Sequence, residues 1–147
     1  MERILIAAAL IVVAVAVAVV LQRRRPQPPT QSRWAVPTQL DRDDFAGADH
    51  PWLVAVFTSA TCESCGRATA KASVLASPAV AYEEIPYQSR RDLHDRYGIE
   101  AVPCIVVADD EGVVRASFIG VPTATDLWAA VAEAREPGSS PEPELGH

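Results

Sequence analysis

Apolar and polar positions follow one another along this chain in two distinct rhythms. The first is an unbroken run of 18 Ala, Val, Ile and Leu residues at positions 4–21. As a helix it would span about 27 Å, enough to cross a hydrocarbon core. A cleaved leader would show a basic start, a shorter apolar core and a small-residue cleavage site. Here Glu2 offsets Arg3, and the run ends in Leu21-Gln22-Arg23-Arg24-Arg25. The pattern therefore predicts an uncleaved membrane anchor behind a short flank at 1–3. Arginine is denser after the span than before it, so the positive-inside rule leans the C-terminal side toward the cytoplasm. An extracytoplasmic placement is the alternative.

The second rhythm begins beyond a basic, Pro/Gln-rich linker at 22–34, a composition that favours an extended tether. Over 35–135, short apolar runs alternate with segments of helical spacing. Residues 35–39 suggest an edge strand, where Pro37 is tolerated, and 41–45 a short helical turn. Trp52-Leu53-Val54-Ala55-Val56-Phe57 reads as a buried strand. Cys65, Ala68, Thr69, Ala72, Leu75 and Ala76 recur at helical spacing and stop near Pro78. A strand is expected at 80–85 and a charged helix at 89–97, with Gly98 placed to cap it. Residues 104–108 read as a buried strand, 109–112 as a hairpin turn, and 113–119 as the returning strand. Thr123-Ala124-Thr125-Asp126 resembles a capping box that opens a last helix along Leu127, Val131 and Ala134. The acidic, Pro/Gly/Ser-rich tail at 136–147 predicts disorder. The expected class is α/β, with five strands and four helical segments.

Composition narrows the picture in two ways. From Trp34 onward there are 8 basic and 18 acidic residues, a net of −10. So acidic a surface repels phosphate backbones and excludes nucleic acid as a partner. Three cysteines do not make a disulfide framework.

Chemistry concentrates where the central strand hands over to a helix, at Cys62-Glu63-Ser64-Cys65. Unpaired N–H groups and a partial positive charge at the start of a helix stabilise a thiolate. A cysteine there tends toward a lowered pKa and a reactive sulfur. Two intervening residues bring the sulfurs within bonding reach, so the pair can open and close. Structural cysteines and half of a zinc site are the competing explanations. Zinc needs two further ligands, and the chain offers Cys104, His50, His94 and His147.

Residues 35–135 resemble the thioredoxin-like family. The resemblance rests on the apolar strand feeding Cys62–Cys65 and on Tyr97-Gly98-Ile99-Glu100-Ala101-Val102-Pro103. The buried strand that follows and the glycines at 112 and 120 complete it. With the anchor, the chain looks most like membrane-tethered thioredoxin-like proteins of high-GC Gram-positive bacteria. The resemblance implies a three-layer fold, a central mixed sheet flanked by helices, behind a single transmembrane helix. It implies a cis Val102–Pro103 bond packed against the cysteines, with Cys62 as nucleophile and Cys65 as resolving thiol. Val102, Pro103 and Thr61 would contact the substrate, by strand addition before the proline. Partners would be disulfide- or thiol-bearing proteins and an electron donor or acceptor, with no cofactor and no metal.

This sequence departs from the family at three positions. Thr61 stands where Trp is common, and Glu63-Ser64 replaces the familiar Gly-Pro. Val56 replaces a buried Asp six positions before the first cysteine. Glu63 beside the nucleophile opposes thiolate formation. Val56 and Thr61 favour a rival reading, a redox-silent peptide-binding module, and a metal-handling thiol site is a third. Glu83 and Glu84 are candidates to replace the missing acid, and Arg67 could favour a thiolate. Cys104 reads as a small buried apolar residue, the alternative being a third redox or metal-binding thiol beside the pair.

Overall fold

The computed structural model describes residues 34–138 together with Met1, Val13 and Val15. The chain divides between Ser32 and Arg33 into two units. Of the first, Val13 and Val15 are helical and exposed, and the rest of the expected anchor at 4–21 lies outside the described residues. Among the described residues no helix is long and apolar enough to cross a membrane. The linker at 22–33 and the tail at 139–147 also lie outside them.

In the second unit, β1 (Trp52–Thr58), β2 (Val80–Pro86), β3 (Cys104–Ala108) and β4 (Val114–Ile119) form one sheet in the order β2-β1-β3-β4. β2 runs parallel to β1, while β3 and β4 are antiparallel to their neighbours. β1 and β3 occupy the centre and are covered on both faces. That is why they read as continuous apolar runs without alternation. Helices α1 (Cys65–Ser73) and α3 (Ala124–Arg135) cover one face, through Ala68, Ala72, Leu127 and Val131 on Val54, Val56, Ile105 and Val107. The other face carries Leu53, Ala55, Phe57, Cys104 and Val106. It is closed by Leu93 of α2 (Arg91–Arg96) and by Leu40 and Phe45 from either side of a 3-10 turn, Arg42–Asp44.

The strand expected at 35–39 does not form. That segment makes a single bridge, Gln39 to Val113. Its further bonds are Val114 N–H to the Thr38 carbonyl and Leu40 N–H to the Gly112 carbonyl, at 3.0 and 2.8 Å. Pro37 holds its φ at about −65°, away from the value of an antiparallel strand, and pairing stops after one rung. The sheet has four strands among the described residues, not five.

The predicted ends of the elements have clear local causes. Thr123 accepts from the Asp126 N–H and opens α3. After α2, Gly98 adopts φ +63° and the Ile99 N–H reaches the His94 carbonyl at 2.9 Å, closing the helix. In the β3–β4 turn, Asp109 Oδ1 accepts from the N–H groups of Glu111 and Val113. Burial alone would raise the Asp109 carboxyl, but Arg115 and those N–H groups hold it below the usual carboxylate range. Gly112 sits at φ +79°, and a Cβ there would stand 2.0 Å from the Leu40 carbonyl oxygen.

Two long-range ties fix the chain before β1. Arg42, only 7% exposed, donates to the carbonyls of Asp109, Gly47 and His50. The Tyr97 hydroxyl donates to the Asp44 carboxylate and accepts from the Asp41 N–H, while its ring stacks on Phe45.

Candidate active site

β1 ends in the middle of the sheet, so the chain leaving Thr58 emerges between β2 and β3. Ser59, Ala60 and Thr61 turn it toward α1, and the Cys62 N–H bonds the Ser59 carbonyl at 3.1 Å. Cys62 and Cys65 are joined in a disulfide, with Cα atoms 5.5 Å apart. Cys65 opens α1 and is buried, 4% exposed, whereas Cys62 just ahead of the helix is half-buried. An incoming sulfur therefore meets Cys62 first. The first turn of α1 holds no acidic residue, so its positive end faces the pair without an internal counter-charge.

Ser64 is the N-cap of α1, yet its side chain makes no capping bond. Its hydroxyl lies 3.6 Å from the Cys62 sulfur instead. Sequence reasoning missed this contact. The signal available was a Ser at an N-cap position, which ordinarily points to the helix backbone and not to a neighbouring sulfur.

The Val102–Pro103 bond is cis. Pro103 is buried and Val102 half-buried, just ahead of β3. The Gly120 N–H donates to the Pro103 carbonyl at 2.8 Å, which places the chain after β4 beside the cis bond. Lys71 of α1 donates to the Pro122 carbonyl at 2.7 Å and ties the same loop to the helix. Among the described residues, the Val102 N–H and carbonyl have no hydrogen-bond partner. Thr61 is exposed just ahead of Cys62.

The other candidates separate. Val56 is fully buried against the α1 face, and no acid replaces it on β1. Glu84 is its register partner on β2 and lies on the same face, where it accepts from the Thr58 hydroxyl at 2.8 Å. Glu83 points to the opposite face, accepting from the Ala46 N–H and lying 3.6 Å from Arg90. Arg67 is exposed. Cys104 is a free thiol with no exposed surface, packed among Phe57 and Val106 on the face away from α1. Burial pushes its thiol up to about 12.

The possible zinc ligands do not gather around the pair. His94 is buried, with Nε2 2.8 Å from the Ile85 carbonyl and its ring edge-on to Phe57 and Tyr87. His50 lies beside Asp49. His147 lies outside the described residues. Among the described residues no group of three or more His, Cys, Asp or Glu could hold a metal ion.

No protein-family model matches the chain, and no curated protein matches it. Solved structures do. A point-mutant thioredoxin of Halobacterium salinarum NRC-1 aligns with 69% of this chain and 88% of its own, at 22% identity and a TM-score of 0.54. Thioredoxin f from spinach chloroplast covers 69% of this chain and 97% of its own, at 21% identity and 0.53. Fasciola hepatica thioredoxin covers 56% and 79%, at 23% identity and 0.50. At these identities the likeness is one of architecture: the described domain adopts the thioredoxin-like fold.

Proposed function

We propose that this chain is a thiol–disulfide oxidoreductase that exchanges its Cys62–Cys65 pair with disulfides of partner proteins. The observation that carries the reading is the disulfide at the start of α1, one cysteine half-buried and the other buried. The Cys62 thiolate attacks one sulfur of a partner disulfide and the other leaves as a thiolate. Cys65 then loses its proton and attacks Cys62. The partner departs with two thiols, and two electrons have left the Cys62–Cys65 pair. A dithiol donor protein restores them. The unpartnered backbone of Val102, beside the cis bond, suits an extended partner segment in the manner of strand addition.

Glu63 and the replacement of a buried acid by Val56 favour a selective enzyme over a general one. The apolar run at 4–21 supports a membrane tether of the kind seen in high-GC Gram-positive bacteria. The arginines at 23–25 support a cytoplasmic domain, a compartment whose poise suits a reductant.

The test counts thiols by mass on the full-length chain in detergent, equilibrated across glutathione buffers, with Cys104→Ser in parallel. Two thiols should disappear together and reversibly in both proteins, at a midpoint that fixes the direction. Failure of any pair to close would reject the enzyme and leave a peptide-binding module.

A further inference from the structure

The loop that carries Cys62 is held by a side chain from another part of the fold. Gln88 lies just beyond β2, where the Tyr87 N–H donates to the Thr58 carbonyl at 2.8 Å and extends the parallel ladder by one rung. The Ala60 N–H donates to Gln88 Oε1 at 3.0 Å, and Gln88 Nε2 donates to Ser59 Oγ at 3.2 Å. Ser59 Oγ in turn lies 3.2 Å from Thr61 Oγ1 and 3.5 Å from the Thr61 N–H. The two polar ends of one amide therefore engage Ser59 and Ala60, two of the three residues between β1 and Cys62, and the Ser59 bond is relayed to Thr61 next to the sulfur.

We propose that Gln88 is a positioning residue for the exchange reaction, fixing the 59–61 loop so that Cys62 stays registered against Cys65. This rests on the oxidoreductase reading above. Closing the disulfide requires Cys62 to find Cys65, and its ease depends on how much freedom the Cys62 loop must lose. Cys65 is already fixed by α1. A loop tied at Ser59 and Ala60 has little freedom left, which raises the effective concentration of one sulfur at the other. Without Gln88 the reduced loop gains conformations, and the closed pair becomes less favoured relative to the dithiol. Gln88 is exposed, so its substitution leaves the core intact.

The experiment equilibrates full-length wild type, Gln88→Ala and Gln88→Glu in detergent against glutathione buffers, reading the closed fraction of Cys62–Cys65 by mass. Thermal unfolding of each protein is followed alongside. Gln88→Ala should lower the closure constant about three- to tenfold, roughly 15–30 mV toward a more oxidising couple. Gln88→Glu keeps an acceptor for the Ala60 N–H and can accept from the Ser59 hydroxyl, so it should recover most of that loss. A closure constant for Gln88→Ala equal to wild type overturns the proposal. So does a loss that Gln88→Glu fails to restore at unchanged thermal stability. If wild type itself never closes, it is the oxidoreductase reading that falls.

Discussion

Cys62 and Cys104 are the same residue type in opposite settings. Cys62 is half-exposed at the positive end of a nine-residue helix, with a hydroxyl 3.6 Å from its sulfur and a bonded partner three residues on. Cys104 begins a central strand, wholly buried among Phe57 and Val106, its thiol pushed up to about 12 by loss of solvent. Thiol chemistry in this chain therefore comes from access and local field. A sulfur in the sheet centre is packing material, even one residue after the cis-proline.

The largest effect should come from removing either member of the pair. Cys62→Ser should abolish reduction of a model protein disulfide, a loss of about a thousandfold or more, since the two cysteines that remain, Cys65 and Cys104, are buried. Cys65→Ser should instead accumulate a mixed disulfide at Cys62, visible by mass. Turnover retained in Cys62→Ser would put the chemistry elsewhere and erase the contrast.

A smaller effect belongs to Cys104. Its thiol is raised from an ordinary value of 9.0 to about 12, so between those pH values the folded chain keeps a proton that the unfolded chain releases. Stability should therefore fall as pH rises across that window, by up to about 1.4 kcal/mol per unit from this group. Cys104→Ala should flatten that part of the profile in denaturant titrations of the reduced protein, while leaving a cavity that costs on the order of 1 kcal/mol. Exchange rates should not change. An unaltered alkaline slope would show that Cys104 is not as insulated as its packing implies.

The smallest predicted effect is at Ser64. Ser64→Ala removes the hydroxyl facing the Cys62 sulfur, and with it a hydrogen bond that favours the thiolate of the reduced pair. Alkylation near pH 7 should slow about threefold, read as a shift of the rate-against-pH curve. A free model thiol alkylated in the same buffers serves as the reference. A profile that coincides with wild type would leave the helix end alone in setting reactivity.

The legible parts of the fold were those written in contiguous residues. The run from Trp52 to Phe57, the hairpin at Asp109 to Gly112, the Thr123 cap and the Gly98 stop each depend on neighbours in sequence. They formed where the pattern placed them. The edge strand at 35–39 failed for the converse reason. Its pairing depends on how the segment lies against the β3–β4 turn, and Pro37 leaves it one bridge.

The two-sided burial of β1 and β3, the C-x-x-C at a strand-to-helix junction and the acidic surface were all written in the sequence. Local propensity, apolar period and charge count are properties of the chain alone. Contacts between distant segments around the pair belong to the tertiary structure. Gln88 reaches Ser59 and Ala60 across 28 residues or more, and Lys71 reaches Pro122 across 51. Glu84 meets Thr58 because the parallel register of β1 and β2 sets it beside Val56. Such contacts follow from strand order and register, which are fixed by closing the whole core, and no window of sequence contains them.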